Sequence, residues 1–227
     1  LTWDKVVWNS HSLLAGITSR YNYYDDNSTA TLDTLTGNNK ADKTFIPGIF
    51  LQDEWKPGAK HLLLMGLRYD RHPVHKGIIT PRVAWKWSVK DGQVFRLNAG
   101  TGFRVVSLFT EEHAALTGAR AVEVKESLKP ERSFNANLNY TWYKKWKQFG
   151  LNLDGSAWYS YFTNQIIPDY DSDPNKIIYK NLDGFAGSKG FSLNVELSHA
   201  NRLKGLFGIT LQDVQKTERD ETGKRST

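Results

Sequence analysis

The sequence predicts an all-β chain: an antiparallel, up-and-down segment of a transmembrane β-barrel. Three observations carry that expectation. Apolar and polar residues alternate with a period of two, over runs of about ten residues that match a tilted membrane crossing. Compact turns alternate with long polar connections. Eleven Phe, ten Tyr and eight Trp among 227 residues cluster near the ends of the alternating runs, where a side chain meets grease on one side and water on the other.

The runs are taken in order. Over 11–24, Leu13, Ala15, Ile17, Tyr21 and Tyr23 share one face, and Gly16, Thr18, Arg20 and Asn22 share the other. Residues 25–43 are polar and read as a long loop. The second strand, 45–55, ends at Lys56-Pro57-Gly58-Ala59-Lys60, a short turn in which Pro presets its own φ. The third, 62–71, sets Leu63, Met65, Leu67 and Tyr69 against Leu64, Gly66, Arg68 and Asp70. The fourth, 79–88, is followed by Asp91-Gly92, the strongest tight-hairpin signal in the chain, and the fifth covers 94–103.

Residues 104–131 break the pattern, with a short helix expected over 107–116 and Ser107 as its cap. Alternation returns over 133–142, continues after a basic turn over 151–162, and gives way to an acidic loop over 168–176. Residues 177–182 and 191–199 read as one long interrupted strand. A turn at 202–205 and a strand over 206–214 follow, and 217–227 read as charged loop. Short turns opposite long connections are the asymmetry of bacterial outer-membrane barrels, with short periplasmic turns and long extracellular loops. The connection at 72–78 is the exception.

Composition narrows the function classes. No apolar run approaches the roughly 18 residues of a spanning helix, which does not exclude a barrel, since only its outer face need be apolar. The formal net charge of +6 is scattered apart from short clusters such as Lys144-Lys145-Trp146-Lys147, which argues against nucleic acid and fits solvated surface or anionic headgroups equally well. The absence of Cys removes disulfides and thiolate metal sites from this stretch. No signal peptide is visible, and Leu1-Thr2-Trp3-Asp4 reads as the middle of something larger.

Several clusters invite a chemical reading. Glu111, Glu112 and His113 lie together in the longest loop, near Arg104. No nucleophile accompanies them, so a solvated loop or a ligand-binding segment stands ahead of catalysis. Asp169, Asp171 and Asp173 alternate as in a calcium loop, but Pro174 and Lys180 stand where that loop needs Gly and Glu. His72 and His75 flank Pro73-Val74 without a third metal ligand. Gly100-Thr101-Gly102 lacks the Lys-Ser/Thr of a phosphate loop. The Trp and Tyr residues at 55, 85, 87, 142, 159 and 161 form either a carbohydrate platform or, as the apolar face favours, a membrane-interface girdle.

Ordered motifs then suggest a family. Gly48-Ile49-Phe50-Leu51-Gln52-Asp53-Glu54-Trp55-Lys56 followed by Gly66-Leu67-Arg68-Tyr69-Asp70 resembles a strand pair of TonB-dependent outer-membrane receptors. Pro81-Arg82-Val83-Ala84, Arg96-Leu97-Asn98-Ala99-Gly100-Thr101-Gly102-Phe103-Arg104 and Leu128-Lys129-Pro130-Glu131-Arg132-Ser133 follow in that family's order. Tyr161-Phe162-Thr163-Asn164-Gln165-Ile166 and Asn181-Leu182-Asp183-Gly184 continue it. The wording is closest to receptors of Bacteroidetes-like bacteria.

The resemblance implies a barrel of about 22 strands with an N-terminal plug and a segment that contacts TonB. Residues 1–227 would then be a partial barrel domain, with the plug and the remaining strands outside it. It implies a non-enzymatic receptor in the outer membrane of a Gram-negative bacterium, importing a scarce nutrient such as an iron-siderophore complex or cobalamin. No cofactor is implied. The partners would be TonB, the plug of the same chain, a small-molecule or metal-chelate ligand and lipid, without nucleic acid. Arg104, Glu111, Glu112 and His113 would face ligand from an extracellular loop. Arg20, Arg68, Arg82 and Arg96 would line the lumen, either for ligand or, as favoured, to pair with plug carboxylates. Alone, such a segment exposes two unpaired strand edges and is expected to need detergent, the whole barrel or another copy. The rivals are a soluble carbohydrate-binding β-sandwich and a small autonomous porin or membrane enzyme.

Overall fold

The computed structural model describes residues 1–25, 41–105, 121–124, 128–170, 172–200, 202–219 and 225–226. Its strands are β1 (Thr2–Val7), β2 (His11–Tyr24), β3 (Asp42–Gly58), β4 (His61–His72), β5 (Lys76–Lys90), β6 (Gln93–Arg104), β7 (Ala121–Val124), β8 (Glu131–Trp146), β9 (Phe149–Thr163), β10 (Ile166–Asp169), β11 (Lys176–Asn181), β12 (Gly184–His199), β13 (Leu203–Arg219) and β14 (Arg225–Ser226). Eleven of them form one antiparallel sheet in the order β1-β2-β3-β4-β5-β6-β8-β9-β12-β13-β14. Strands β10, β11 and β7 form a second, small sheet, in which β7 runs parallel to β11.

Strand pairing carries the sequence alternation across the whole wall. Ile17, Ile49, Tyr69 and Ile79 form one row, and Ala15, Leu51, Leu67 and Pro81 form the next. Ile17, Ile49, Leu51, Leu67 and Ile79 are all more than half exposed. No second sheet covers this apolar face among the described residues, which is the condition of a barrel wall facing lipid and not of a sandwich. The opposite face carries Arg, Asn, Ser and Thr, as the rows Thr18–Gly48–Asp70 and Gln52–Gly66–Arg82–Gly100 illustrate.

Turn chemistry fixes the hairpins. Gly92 has φ 74°, and a Cβ there would collide with the carbonyl of Tyr143, whose N–H donates to Gly92 O at 2.6 Å. Only glycine satisfies both the backbone angle and the approach. Asn9, Lys147, Ala200 and Lys76 also take positive φ at their turns.

Several expectations need correction. The strands of the wall run longer than expected: 16 residues in β8 and 17 in β13, where 133–142 and 206–214 were expected. Backbone pairing continues past the point where the lipid-imposed alternation fades. The N-terminal residues form β1, and 217–219 belong to β13 instead of a charged loop. Residues 177–182 and 191–199 are not one interrupted strand, because β11 lies in the small sheet and β12 in the wall. The acidic loop is shorter than expected, since Pro168 and Asp169 pair in β10 with Tyr179 and Ile178. The helix expected over 107–116, with Ser107 as its cap, lies outside the described residues. No described helix is long and apolar enough to cross a membrane, which says nothing of crossing by strands.

Candidate functional site

The polar face is a hydrogen-bonded array in which each arginine has a distinct setting. Arg68 grips Asp70 with two bonds, Nε and Nη2 each donating at 2.7 Å, and Nη2 also donates to Thr18 Oγ1 at 3.1 Å. Asp70 is 1% exposed, so this is a bidentate, charge-assisted pair at a desolvated carboxylate. Gly48 sits between Thr18 and Asp70 in the row, and a Cβ there would strike the Asp70 carboxylate.

Arg82 lies across two glycines. Its side chain contacts the position a Cβ would take at Gly66 and at Gly100, and its guanidinium donates to Gln52 Oε1 two strands away. Arg96 donates to Asn139 Oδ1 at 3.2 Å and Thr141 Oγ1 at 3.3 Å. Arg20 is exposed at the long-connection end, across from Ile46. By strand register Arg20, Arg68, Arg82 and Arg96 lie on one face of the sheet. Arg68 is neutralised within the wall, whereas Arg82 and Arg96 bond to neutral acceptors.

Beside Arg82 the face is concave, with a volume of about 550 Å³ lined by Asn98, Asn135, Asn137, Trp158 and Ser160. The Trp158 indole occupies the space a Cβ at Gly190 would take. Sequence reading gave neither Trp158 nor this asparagine cluster a role. The signal was present in the unbroken Asn-x-Asn-x-Asn of 135–139 facing Asn98.

At the long-connection end, Arg104 does not stand free as a ligand contact. Its Nε donates to Glu131 Oε2 at 2.7 Å, and Glu131 Oε1 accepts from Ile166 N at 3.0 Å. Glu131 is 7% exposed and ties the ends of β6 and β8 to the start of β10. The small sheet above it has its own apolar cluster, with Ile177 and Tyr179 packed by Leu128 and Ile166. Lys129 N donates to Asn181 Oδ1 at 2.8 Å, and Leu182 N to Gln165 O at 2.7 Å. Two long connections are thereby joined. In the sequence Glu131 stands only as part of a motif. Its position directly across from Arg104 in the β6–β8 register is what gives it a role. Glu111, Glu112 and His113 lie outside the described residues.

The metal readings find no support in geometry. Asp169 accepts from Ser172 N at 3.0 Å and Ser172 Oγ at 2.7 Å, and Asp173 accepts from Asn175 N at 2.8 Å, so both carboxylates close turns. Asp171 lies outside the described residues. His72 is buried, and its Nδ1 accepts from the N–H groups of Val74 and His75, each at 3.2 Å. That places the His72 proton on Nε2 in the neutral ring. His75 stacks 4.7 Å away, and burial holds its imidazole below the usual histidine range. No group of three metal-ligating side chains occurs among the described residues.

A family model described as TonB dependent receptor-like, beta-barrel, matches residues 1–226. The chain belongs to the TonB-dependent receptor β-barrel family. Solved structures agree on the fold. The FrpB iron transporter from Neisseria meningitidis superposes with a TM-score of 0.73 at 14% identity, over 98% of this chain and 36% of that one. A variant of the ferric enterobactin receptor PfeA from Pseudomonas aeruginosa gives 0.72 at 18% identity, over 98% and 36%. The siderophore receptor PirA from Acinetobacter baumannii gives 0.65 at 13%, over 86% and 33%. The chain thus spans about a third of each solved receptor. No curated protein matches the sequence. Together with the single continuous wall, the family match replaces the β-sandwich reading. The TonB-dependent receptor family is one of outer-membrane receptors and transporters, not enzymes.

Proposed function

We propose that this chain is part of the barrel wall of a larger outer-membrane receptor in a Gram-negative bacterium. The receptor binds a scarce nutrient, such as an iron-siderophore complex or cobalamin, and imports it with energy delivered through TonB. It performs no reaction of its own and needs no cofactor. The observation that carries this reading is the sheet itself: a wall apolar on one face and arginine-lined on the other, within a family of such receptors. FrpB is described as an iron transporter and PfeA as a ferric enterobactin receptor, which supports an iron chelate as the first cargo to test.

The polar face is the lumen in this reading, and an N-terminal plug fills it. Arg82 and Arg96, with neutral partners in the wall, pair with plug carboxylates. Arg104 and the connection holding Glu111, Glu112 and His113 lie on the extracellular side, where ligand arrives. Uptake of a labelled ferric siderophore by cells with and without the whole receptor tests the transport claim. A heat-shifted outer-membrane band on SDS gels tests the location. In the whole receptor, Arg96→Ala should lower thermal stability more than ligand affinity. Unchanged melting with lost binding would show that Arg96 contacts cargo.

A further inference from the structure

The two rims of the wall differ in chemistry. Six of the eight tryptophans, at 8, 55, 85, 87, 142 and 146, lie at the short-turn rim. Three histidines join them in aromatic stacks. His11 stacks on Trp55 at 5.6 Å, His61 on Trp85 at 5.8 Å and on Trp87 at 6.0 Å, and His199 packs on Phe149 at 4.5 Å. The rim is also basic. The turns of its hairpins and the strand ends beside them carry Lys56, Lys60, Lys90, Lys145, Lys147 and Arg202, all exposed.

Two neighbouring hairpins concentrate these features. The pairing of β5 with β6 shifts register between Ser88 and Lys90. A one-residue slip moves a side chain to the other face. Lys90 therefore pairs with Gln93, which sits across from Trp142, and joins the apolar face beside the girdle. Lys60 Nζ donates to Val89 O at 3.2 Å, and Ser88 N to Lys60 O at 2.8 Å, so the β3–β4 turn is fastened to the end of β5. The Lys60 ammonium keeps two further hydrogens. His61 Nδ1 accepts from Trp85 Nε1 at 3.3 Å, which leaves the neutral ring's hydrogen on Nε2. Beneath lies a stack of Trp85 on Trp87 at 5.9 Å and Trp87 on Phe95 at 5.9 Å. The nearby carboxylates are Glu54, paired with Lys56 at 3.3 Å, and Asp91 at the tip of the β5–β6 turn.

We propose that the rim between these two hairpins binds the phosphate headgroup of an anionic phospholipid. Lys60, Lys90 and His61 Nε2 supply the donors, and the Trp85–Trp87–Phe95 stack supports the glycerol and upper acyl chain. The inference rests on the chain being a membrane-embedded wall. Phospholipid is favoured over an acidic protein because the donors are continuous with an aromatic belt that sets the membrane interface. A lysine at an anionic surface contributes about a fivefold gain in partition, so two contribute about twenty-five-fold.

The test uses the whole receptor in vesicles containing either brominated phosphatidylglycerol or brominated phosphatidylcholine. Quenching of tryptophan fluorescence reports lipid contact. The anionic lipid should quench at about twenty-five-fold lower mole fraction. The K60Q/K90Q receptor should lose that preference, while Lys189→Gln, near the other rim, should keep it. Equal quenching by both lipids in the wild type, or an undiminished preference in K60Q/K90Q, overturns the proposal and leaves the membrane reading intact. Tight binding of a glutamate-rich peptide with no lipid preference would assign the rim to an acidic protein instead. Quenching by neither lipid would overturn the membrane reading and the proposal together.

Discussion

Glu131→Ala should free the small sheet from the wall while leaving the wall folded. Glu131 is buried and makes two bonds, to Arg104 Nε at 2.7 Å and to Ile166 N at 3.0 Å. A hydrogen bond to a charged acceptor contributes about 1.5–3 kcal/mol, and an orphaned buried N–H costs about 1–3 kcal/mol. Arg104 is 56% exposed at its side chain, so its share lies at the bottom of the charged range. The two losses together amount to about 3 kcal/mol, or about a hundredfold in the local opening equilibrium. Hydrogen exchange followed by mass spectrometry on the whole receptor in detergent reads this directly. Peptides spanning 164–183 should exchange about a hundredfold faster, with peptides from β3, β4 and β5 unchanged. Glu131→Gln keeps one acceptor oxygen and should show a smaller effect of the same sign. If Glu131→Ala leaves exchange over 164–183 unaltered, the tether carries no energy and the apolar cluster around Ile177 holds the sheet alone.

The remaining predictions concern packing and protonation. Gly190→Ala places a Cβ against the Trp158 indole and 2.7 Å from Leu211 O, so the indole must lift off the wall. Overpacking of this kind costs about 1–3 kcal/mol, read as a lower melting temperature, and no change would mean that Trp158 moves freely. Acidification should loosen the β4–β5 turn. Burial lowers the His75 pKa, so the folded turn takes up a proton less readily than an unfolded chain does. The turn then loses stability as the pH falls below the ordinary histidine value of about 6.5 and is unaffected above it. Amide exchange over 73–76, corrected for its intrinsic pH dependence, should rise between about pH 7.5 and pH 5, and His75→Asn should reduce the rise.

The wall was legible because a two-faced sheet imposes its period on the sequence. The expected strand 11–24 coincides with β2, and Asp91-Gly92 forms its turn. What escaped was structure outside that constraint. Strand ends such as Lys144 and Lys145 break the apolar alternation while still pairing through the backbone, so nothing in their side chains announces a strand. The small sheet pairs β7 with β11, more than fifty residues apart in sequence, and β7 is only four residues long. That Arg20, Arg68, Arg82 and Arg96 share one face was legible from parity. The partners of Arg82 and Arg96 were not, because Gln52 and Asn139 lie on other strands and only the register says which side chains meet; the same holds for Arg104 and Glu131.

The polar face sets two cations directly across from each other, and the proposed plug is what would answer them. Lys86 pairs directly across from Arg96, two cations on adjacent strands of one face. Like charges so placed cost about 0.2–1 kcal/mol. The carboxylate bonded on that face in β4, Asp70, is already held by both nitrogens of Arg68. The cations at 82, 86 and 96 lie on β5 and β6, while the neighbouring β8 presents asparagine and serine instead. A wall that kept this repulsion without return would be improved by losing it. If the proposed plug carboxylate answers these cations, Lys86→Gln in the whole receptor should lower the melting temperature by a few degrees, because that carboxylate loses its counterion. A higher melting temperature would mean that the repulsion goes uncompensated, and that the arginines of this face wait for an anionic cargo instead of a plug.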